Sequence, residues 1–475
     1  MQHQTSHLLA DDAQAIIALC TPRGSGAIAL IRLSGVNAID VADLIARLSS
    51  GNTLAQSPTH TIHHGYVIDQ KNKNQIVDEV IFLLMRGPRT FTGQDTVEIT
   101  CHNNQFIIEQ ILNLAVAHGA RPAGPGEFSR RAFMNGKIDL VQAESINELL
   151  SAQTEHALKK SMSMLTGSLS QAVSHIQAEL INLLGYVEAS FEFLDEEQRD
   201  LDFNQAIMQR TQSILDYVNE MKAHFAHQKQ VKEGIRIAVL GAVNAGKSTL
   251  FNALIKKERA IVADVAGTTR DSIEACVYSN GNFLLFIDTA GMRQTDDVIE
   301  QKGIERSFAE AASADVILLV VDATRTLTFQ EVEQYQALIN EYGAKIIVVV
   351  NKIDIQSSAK EACQLPTSWS NLPVMRVCAQ LSMGINELHK SIESKVQELF
   401  AQGNAPYLLN QRQFKVLTEI GSRLEFIANS YSGGIHYELI AYKVKDLLEK
   451  VSELTGRNVT EQVLDTVFSE FCVGK

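Results

Sequence analysis

A chain of 475 residues is too long for one compact core and points to two to four domains. Its net charge of −13 excludes a protein that coats nucleic acid electrostatically, while leaving room for a local basic surface. Six scattered cysteines without a C-x-x-C pair fit a reducing compartment better than a disulfide framework or a zinc site, and the strongest apolar runs, "VILLVV" and "KIIVVV", fall far short of the roughly 20 residues of a membrane helix.

The opening "MQHQTSHLLADD" lacks the basic-then-apolar order of a signal peptide, so a cytoplasmic location is expected. Residues 1–133 then alternate β-type runs ("AIALIRL", "EVIFLLM", "DTVEITC") with two helical stretches, and "DQKNKNQ" reads as a hairpin turn. A small α+β domain is expected there. From 134 to 232 the texture is helical: Leu158, Met162, Leu165, Leu169, Val173, Ile176, Leu180, Leu183 and Val187 recur at threes and fours, as the core stripe of a bundle does. Residues 233–398 interleave β-branched runs with helix-length segments, the pattern of a parallel sheet covered on both faces. Helical spacing returns in 399–475 at Ile440, Val444, Leu447 and Val451. The expected fold class is therefore multidomain α/β and α, with an α/β domain inserted into a helical one.

The inserted domain carries the clearest chemistry. "GAVNAGKS", Gly241–Ser248, sits between an apolar strand and a helix, the context a phosphate loop requires. Its glycines let backbone N–H groups curl around phosphates, Lys247 reaches the terminal phosphates, and the Ser248 hydroxyl suits Mg²⁺. "DTAG", Asp288–Gly291, ends a later strand and places a carboxylate near the metal. "NKID", Asn351–Asp354, supplies a carboxylate at Asp354 that accepts both guanine N–H groups and repels adenine. "GTTRD" lies where a switch loop would bring Thr269 to Mg²⁺. These four motifs in this order predict a GTPase. "CAQ", Cys378–Gln380, replaces the usual SA[K/R], with the Ala379 N–H left to meet the base.

Ras-like enzymes orient the attacking water with a glutamine directly after D-x-x-G, but Met292 stands there and has no polar group to offer. Glu300 is one candidate in the acidic segment that follows; the other reading makes it a solvated helix-face charge.

"FTGQDTVEI", "GPGEFSRRAFMNGKIDLVQAE", "NAGKSTLFNAL", "IVADVAGTTRDSIE", "IDTAGMR…GIERS" and the closing "FCVGK" resemble the MnmE (TrmE) family of tRNA-modification GTPases along the whole chain. The resemblance implies a homodimer paired through its N-terminal domains and a potassium-stimulated GTPase. It implies GTP contacts from Asn244, Ala245, Gly246, Lys247, Ser248 and Thr249 in the phosphate loop. The switch would contribute Ala263, Asp264, Val265, Ala266, Gly267, Thr268 and Thr269; the later motifs Asp288, Thr289, Ala290, Gly291, Asn351, Lys352, Asp354, Cys378, Ala379 and Gln380. Asn244, Ala263, Val265 and Thr268 match the K⁺ ligands, and Glu300 matches the catalytic glutamate. A K⁺ beside the phosphates would supply the charge that an arginine finger supplies elsewhere.

The same resemblance implies formyl-tetrahydrofolate in the N-terminal domain, held by Arg32, Glu98, Lys137 and Lys475. With a flavin- and NADH-using partner, MnmG (GidA), it implies placement of an aminomethyl-type group on the wobble uridine of certain tRNAs. Read without the family, Arg32 and Lys137 are surface charges. Cys472 has two readings: an inert small hydrophobe, or a thiolate near a cationic lysine that assists transfer to uridine carbon six or meets the flavin partner. "CHNN", Cys101–Asn104, departs from the family's HGG-type turn, and Val243 from its common proline. A rival class is a GTP-dependent assembly switch, as in ribosome maturation, without one-carbon chemistry; the nucleotide motifs do not discriminate. Lipid anchoring at "CVGK" is disfavoured by its glycine and closing lysine.

Overall fold

The computed structural model describes residues 13–152, 154–193, 201–223, 225, 234–257, 273–279, 282–287, 308–355, 364–401, 405–430 and 437–474. They fall into two compact units, one drawn from Met1–Asn147, Leu165–Ile207 and Ser430–Lys475, the other from Glu148–Met164 and Met208–Asn429.

The first unit is organised by a sheet of β1 (Ile16–Leu19), β2 (Ile28–Ser34), β3 (Ala46–Leu48), β4 (Thr61–Asp69), β5 (Gln75–Met85), β6 (Thr96–His102) and β7 (Arg121–Pro122). The order is β3-β4-β5-β6-β2-β1-β7, antiparallel except for β1 with β7. Alternation decides its faces. Ala29, Ile31, Leu33, Val97, Ile99, Phe82 and Leu84 join the core under the helices Ala38–Ile45 and Gln105–Ala117, while Arg32 and Glu98 point to the other face. The expected hairpin lies between β4 and β5, where Lys73 and Asn74 take left-handed backbone. "CHNN" closes β6: Asn104 caps the helix Gln105–Ala117 by accepting from Phe106 N.

In the same unit the long helix Ser168–Phe193 packs against Tyr437–Thr455. Leu169, Val173, Ile176, Leu180, Leu183 and Val187 are buried on one, and Ile440, Val444, Leu447 and Val451 on the other. The expected stripe is nonetheless shorter than its spacing suggests. Helix Glu155–Leu165, nearly all of it in the second unit, ends before Gly167, whose φ of 100° breaks the periodicity, and its Leu158 and Met162 are 47% and 48% exposed. The closing helix runs Glu461–Ser469. Phe468 and Phe471 are buried against Leu140 and Ala143.

The second unit contains β8 (Ile235–Gly241), β9 (Ile273–Ser279), β10 (Asn282–Ile287), β11 (Val316–Asp322), β12 (Ile346–Asn351) and β13 (Val374–Arg376), in the order β13-β12-β11-β8-β10-β9. All neighbours are parallel except β9 with β10. β11 and β12 are buried throughout, as strands covered on both faces must be. Alternate residues feed two cores: Val239, Val316 and Val349 face helices Lys247–Lys257 and Ile385–Ala401, while Leu240, Leu319 and Val350 face Phe329–Tyr342.

Candidate functional site

Strand β8 lies between β10 and β11, where the strand order reverses and a crevice opens beyond the carboxyl ends of the strands. The phosphate loop leaves β8 into that crevice. Gly241 must be glycine: at φ 149° an added Cβ would lie 2.3 Å from the Val320 carbonyl oxygen. Asn244 and Gly246 adopt left-handed backbone, φ 63° and 91°, and the helix starts at Lys247 with Ser248 and Thr249 exposed in its first turn. The Lys247 ammonium donates to the carbonyls of Gly241 and Ala242, both at 2.9 Å, and burial lowers its pKa. Beneath the loop, burial pushes the Tyr335 phenol up to about 12, and its hydroxyl meets the Ala242 backbone.

Three motifs far apart in sequence converge on this loop. Asn351, at the end of β12, donates from Nδ2 to the Ala245 carbonyl at 3.0 Å and accepts at Oδ1 from the Ala379 N–H at 3.1 Å. The Ala379 N–H expected to meet the base is thus engaged by Asn351. Lys352 Nζ donates to the Asn244 carbonyl at 2.6 Å and to Asp322 Oδ2 at 2.7 Å. Asp354 is exposed on the rim. The buried Cys378 thiol, raised in pKa by burial and then by its hydrogen bond to Asp354, stays protonated and donates to that carboxylate. Val243 and Gln380 are exposed. The expected residues Ala263, Asp264, Val265, Ala266, Gly267, Thr268, Thr269, Asp288, Thr289, Ala290, Gly291, Glu300 and Lys475 lie outside the described residues.

The base-reading assignment has a direct test. Asp354→Asn exchanges an acceptor for a donor, so GTP affinity is expected to fall about 10- to 100-fold while xanthine nucleotides, which present an acceptor in place of the guanine amino group, gain. Competition titration with GTP and XTP measures both, and unchanged GTP affinity removes Asp354 from the base site.

In the first unit the N-terminal candidates form one cluster. Arg32 and Glu98 are cross-strand partners on β2 and β6, and Glu98 Oε1 accepts from both Nε and Nη2 at 2.8 Å. The guanidinium carbon lies 5.8 Å from the Phe91 ring centroid and 5.6 Å from that of Phe128. Lys137 Nζ donates to the Pro88 carbonyl at 2.9 Å, at the base of the loop that carries Phe91. Asn135 and Arg131 hold that loop through Thr92 O and Gln94 Oε1, and Arg131 in turn pairs with Glu127.

The Cys-Val-Gly segment is laid along the same unit. Gly126 N–H donates to the Cys472 carbonyl at 3.3 Å, Val473 bridges Pro125, and the Cys20 thiol donates to the Gly474 carbonyl at 3.1 Å. Gly126 lies two residues before Phe128, and Cys20 directly follows β1, whose Ala18 pairs with Arg32, so the segment runs beside elements that carry the Arg32 cluster. The Cys472 side chain faces outward, exposed. Asp322, Phe91, Phe128, Gly126 and Cys20 escape sequence reasoning; the one signal available was an aspartate closing the otherwise apolar run "VILLVVD".

Among the described residues no cluster of three or more His, Cys, Asp or Glu side chains is placed to hold a metal, and no helix is long and apolar enough to cross a membrane. The strand order, the loop leaving β8 and the Asn-Lys-x-Asp turn beside it define the class: a P-loop GTP hydrolase.

A family model described as the MnmE helical domain matches residues 140–472, and one described as the GTP-binding protein TrmE N-terminus matches residues 15–137. Curated relatives named tRNA modification GTPase MnmE cover nearly the whole chain. That of Enterococcus faecalis is 35% identical over 465 residues, 97% of this chain and 98% of the relative. Those of Bacillus subtilis and Geobacillus kaustophilus are 34% and 36% identical, each over 97% of this chain and 99% of the relative. The chain belongs to the MnmE family of tRNA modification GTPases.

Proposed function

We propose that this chain is a potassium-stimulated GTP hydrolase that acts as a homodimer with the flavin-dependent partner MnmG (GidA). Together they would add an aminomethyl or carboxymethylaminomethyl group to carbon five of the wobble uridine of certain tRNAs, with formyl-tetrahydrofolate as the carbon donor. The observations that support this reading best are the Arg32–Glu98 pair with its two aromatic neighbours and, in the same unit, a Cys-Val-Gly segment tied to Gly126 and Cys20 with its thiol exposed. A nucleotide switch without one-carbon chemistry has no use for that arrangement. The division of labour follows the sequence boundaries: dimer contacts and most of the folate site in 1–133, GTP chemistry in 233–398, and helical support from 134–232 and 399–475, which add Lys137 and Lys475 to the folate site.

The residues present fit the groups this reading requires. Ser248 offers a hydroxyl in the first helical turn, where the positive end of the helix favours phosphate, and with Thr269 it would hold Mg²⁺. The left-handed backbone of Asn244, with its carbonyl already bonded to Lys352, leaves the carboxamide as the group to hold K⁺, alongside Ala263, Val265 and Thr268. Bound cations supply positive charge beside the phosphates. Glu300 orients the attacking water, since Met292 has no polar group for that task. Arg32, paired and stacked, offers a guanidinium of fixed orientation to a carboxylate or pterin edge, and Lys137 and Lys475 add ammonium groups.

Mass analysis of wobble uridines from cells with and without the chain tests the function: loss of the carbon-five substituent is expected, and an unchanged nucleoside profile favours the assembly switch. Folate binding tests the site. Arg32→Ala and Lys137→Ala are each expected to weaken formyl-tetrahydrofolate binding by about 1–3 kcal/mol while GTP hydrolysis stays intact. Equal folate affinity in both variants moves the pocket elsewhere.

A further inference from the structure

The aspartate that closes β11 does not belong to any of the nucleotide motifs, yet the site is braced on it. Six apolar buried residues precede Asp322, and its side chain is 9% exposed. Oδ1 accepts from the Thr324 N–H at 2.9 Å and its hydroxyl at 2.7 Å; Oδ2 accepts from Lys352 Nζ at 2.7 Å. The same ammonium continues to the Asn244 carbonyl at 2.6 Å. Burial alone would raise the Asp322 carboxyl, but hydrogen bonds from Lys352 and Thr324 outweigh it and hold the group ionised.

Asn244 and Lys352 both sit at left-handed φ, 63° and 66°. Asparagine tolerates this region, but lysine does so rarely, so the Lys352 conformation persists because its surroundings hold it. We infer that Asp322 is a positioning residue of the GTP site: it fixes the Lys352 ammonium, which holds the Asn244 carbonyl and sets the curve of the phosphate loop before nucleotide arrives. Thr324 occupies the second carboxylate oxygen and so fixes the direction of the first. A carboxylate suits this place because it is itself nearly buried and the lysine it holds is partly withdrawn from water; a neutral acceptor keeps the hydrogen bond and loses the charge compensation.

Pre-organisation of the loop acts on free enzyme more than on the bound complex, so the effect belongs in affinity rather than in turnover. Asp322→Ala is expected to raise the KM for GTP and the Kd for GDP by about 10- to 50-fold, with kcat at saturating GTP within about threefold of wild type. Asp322→Asn is expected to recover part of the loss, and Thr324→Val to show a smaller shift in the same direction. In a Lys352→Met background, Asp322→Ala is expected to add nothing, because the carboxylate acts through that ammonium. Should Asp322→Ala fail to fold, Asp322→Asn and Thr324→Val decide the matter. Wild-type KM and GDP affinity in the variants that fold overturn the inference, as does full additivity with Lys352→Met. A fall in kcat at unchanged KM also overturns it, since that pattern assigns Asp322 to a different step.

Discussion

Gly246→Ala is expected to lose GTP binding by at least about 30-fold while the chain keeps its fold. Two costs combine. The residue sits at φ 91°, where a Cβ costs about 1–2 kcal/mol. The added atom would also lie 2.3 Å from Asn351 Nδ2, the group that donates to Ala245 O. Asn351 must then turn away, leaving the Ala245 carbonyl and the Ala379 N–H, both in buried residues, without that partner; each such loss costs about 1–3 kcal/mol. At about 1.4 kcal/mol per tenfold, strain plus one lost bond, about 2–5 kcal/mol, corresponds to a factor of about 30 or more. The damage is confined to the loop and its two braces, so the parallel sheet is expected to melt normally. Titration with a fluorescent GDP analogue, alongside thermal unfolding, separates the two effects. Wild-type affinity in the variant means that the loop accepts a side chain there, and that Asn351 does not set its shape.

What was legible in the sequence follows the range of the interactions involved. The phosphate loop is local: strand, glycine turn and helix lie within one short stretch, so their spacing alone predicts the geometry found at Gly241–Lys247. The clamps on that loop are not local. Asn351 and Lys352 reach residues 106 and 108 positions earlier, and nothing in the composition of "NKID" announces that Lys352 shares its ammonium between Asp322 and Asn244. The engagement of the Ala379 N–H is equally hidden from the sequence: its acceptor here, Asn351 Oδ1, arrives from another strand. β9 is less legible than the parallel strands, because its run "IEACVYS" lacks their continuous apolar character, although the Asn280-Gly281 pair after it is a strong hairpin signal. At an antiparallel edge that character is not required. In the first unit, periodicity predicted the buried faces of Ser168–Phe193 and Tyr437–Thr455 but not the break at Gly167, which a stripe of spacing three and four passes over. Arg32 alone reads as a surface charge; only the register of β2 against β6 pairs it with Glu98.

The largest effect on the proposed modification is expected from Cys472→Ser, which should abolish the carbon-five substituent on the wobble uridine while leaving folding, GTP hydrolysis and folate binding intact. The backbone on both sides of this thiol is fixed: its own carbonyl accepts from Gly126, Val473 bridges Pro125, and the Gly474 carbonyl accepts from Cys20. A side chain that served only as packing would point inward from such a strap, as Phe468 and Phe471 do just before it. Cys472 points out. Serine preserves size and hydrogen bonding but not thiolate chemistry, so the exchange isolates reactivity. Position is isolated by a second variant. Gly474 has φ 101°, and a Cβ there would lie 2.5 Å from the Leu19 carbonyl oxygen, so Gly474→Ala lifts the segment with its thiol unchanged. Both variants are expected to lose modification, but only Gly474→Ala should speed hydrogen exchange at the Gly126 amide, whose acceptor is the Cys472 carbonyl. Mass analysis of wobble uridines in cells carrying each variant reads the outcome. Normal modification with Cys472→Ser reduces the thiol to a bystander. Loss of modification with both, together with faster exchange at Gly126 in Cys472→Ser as well, reduces it to a tether whose role is to hold the segment down.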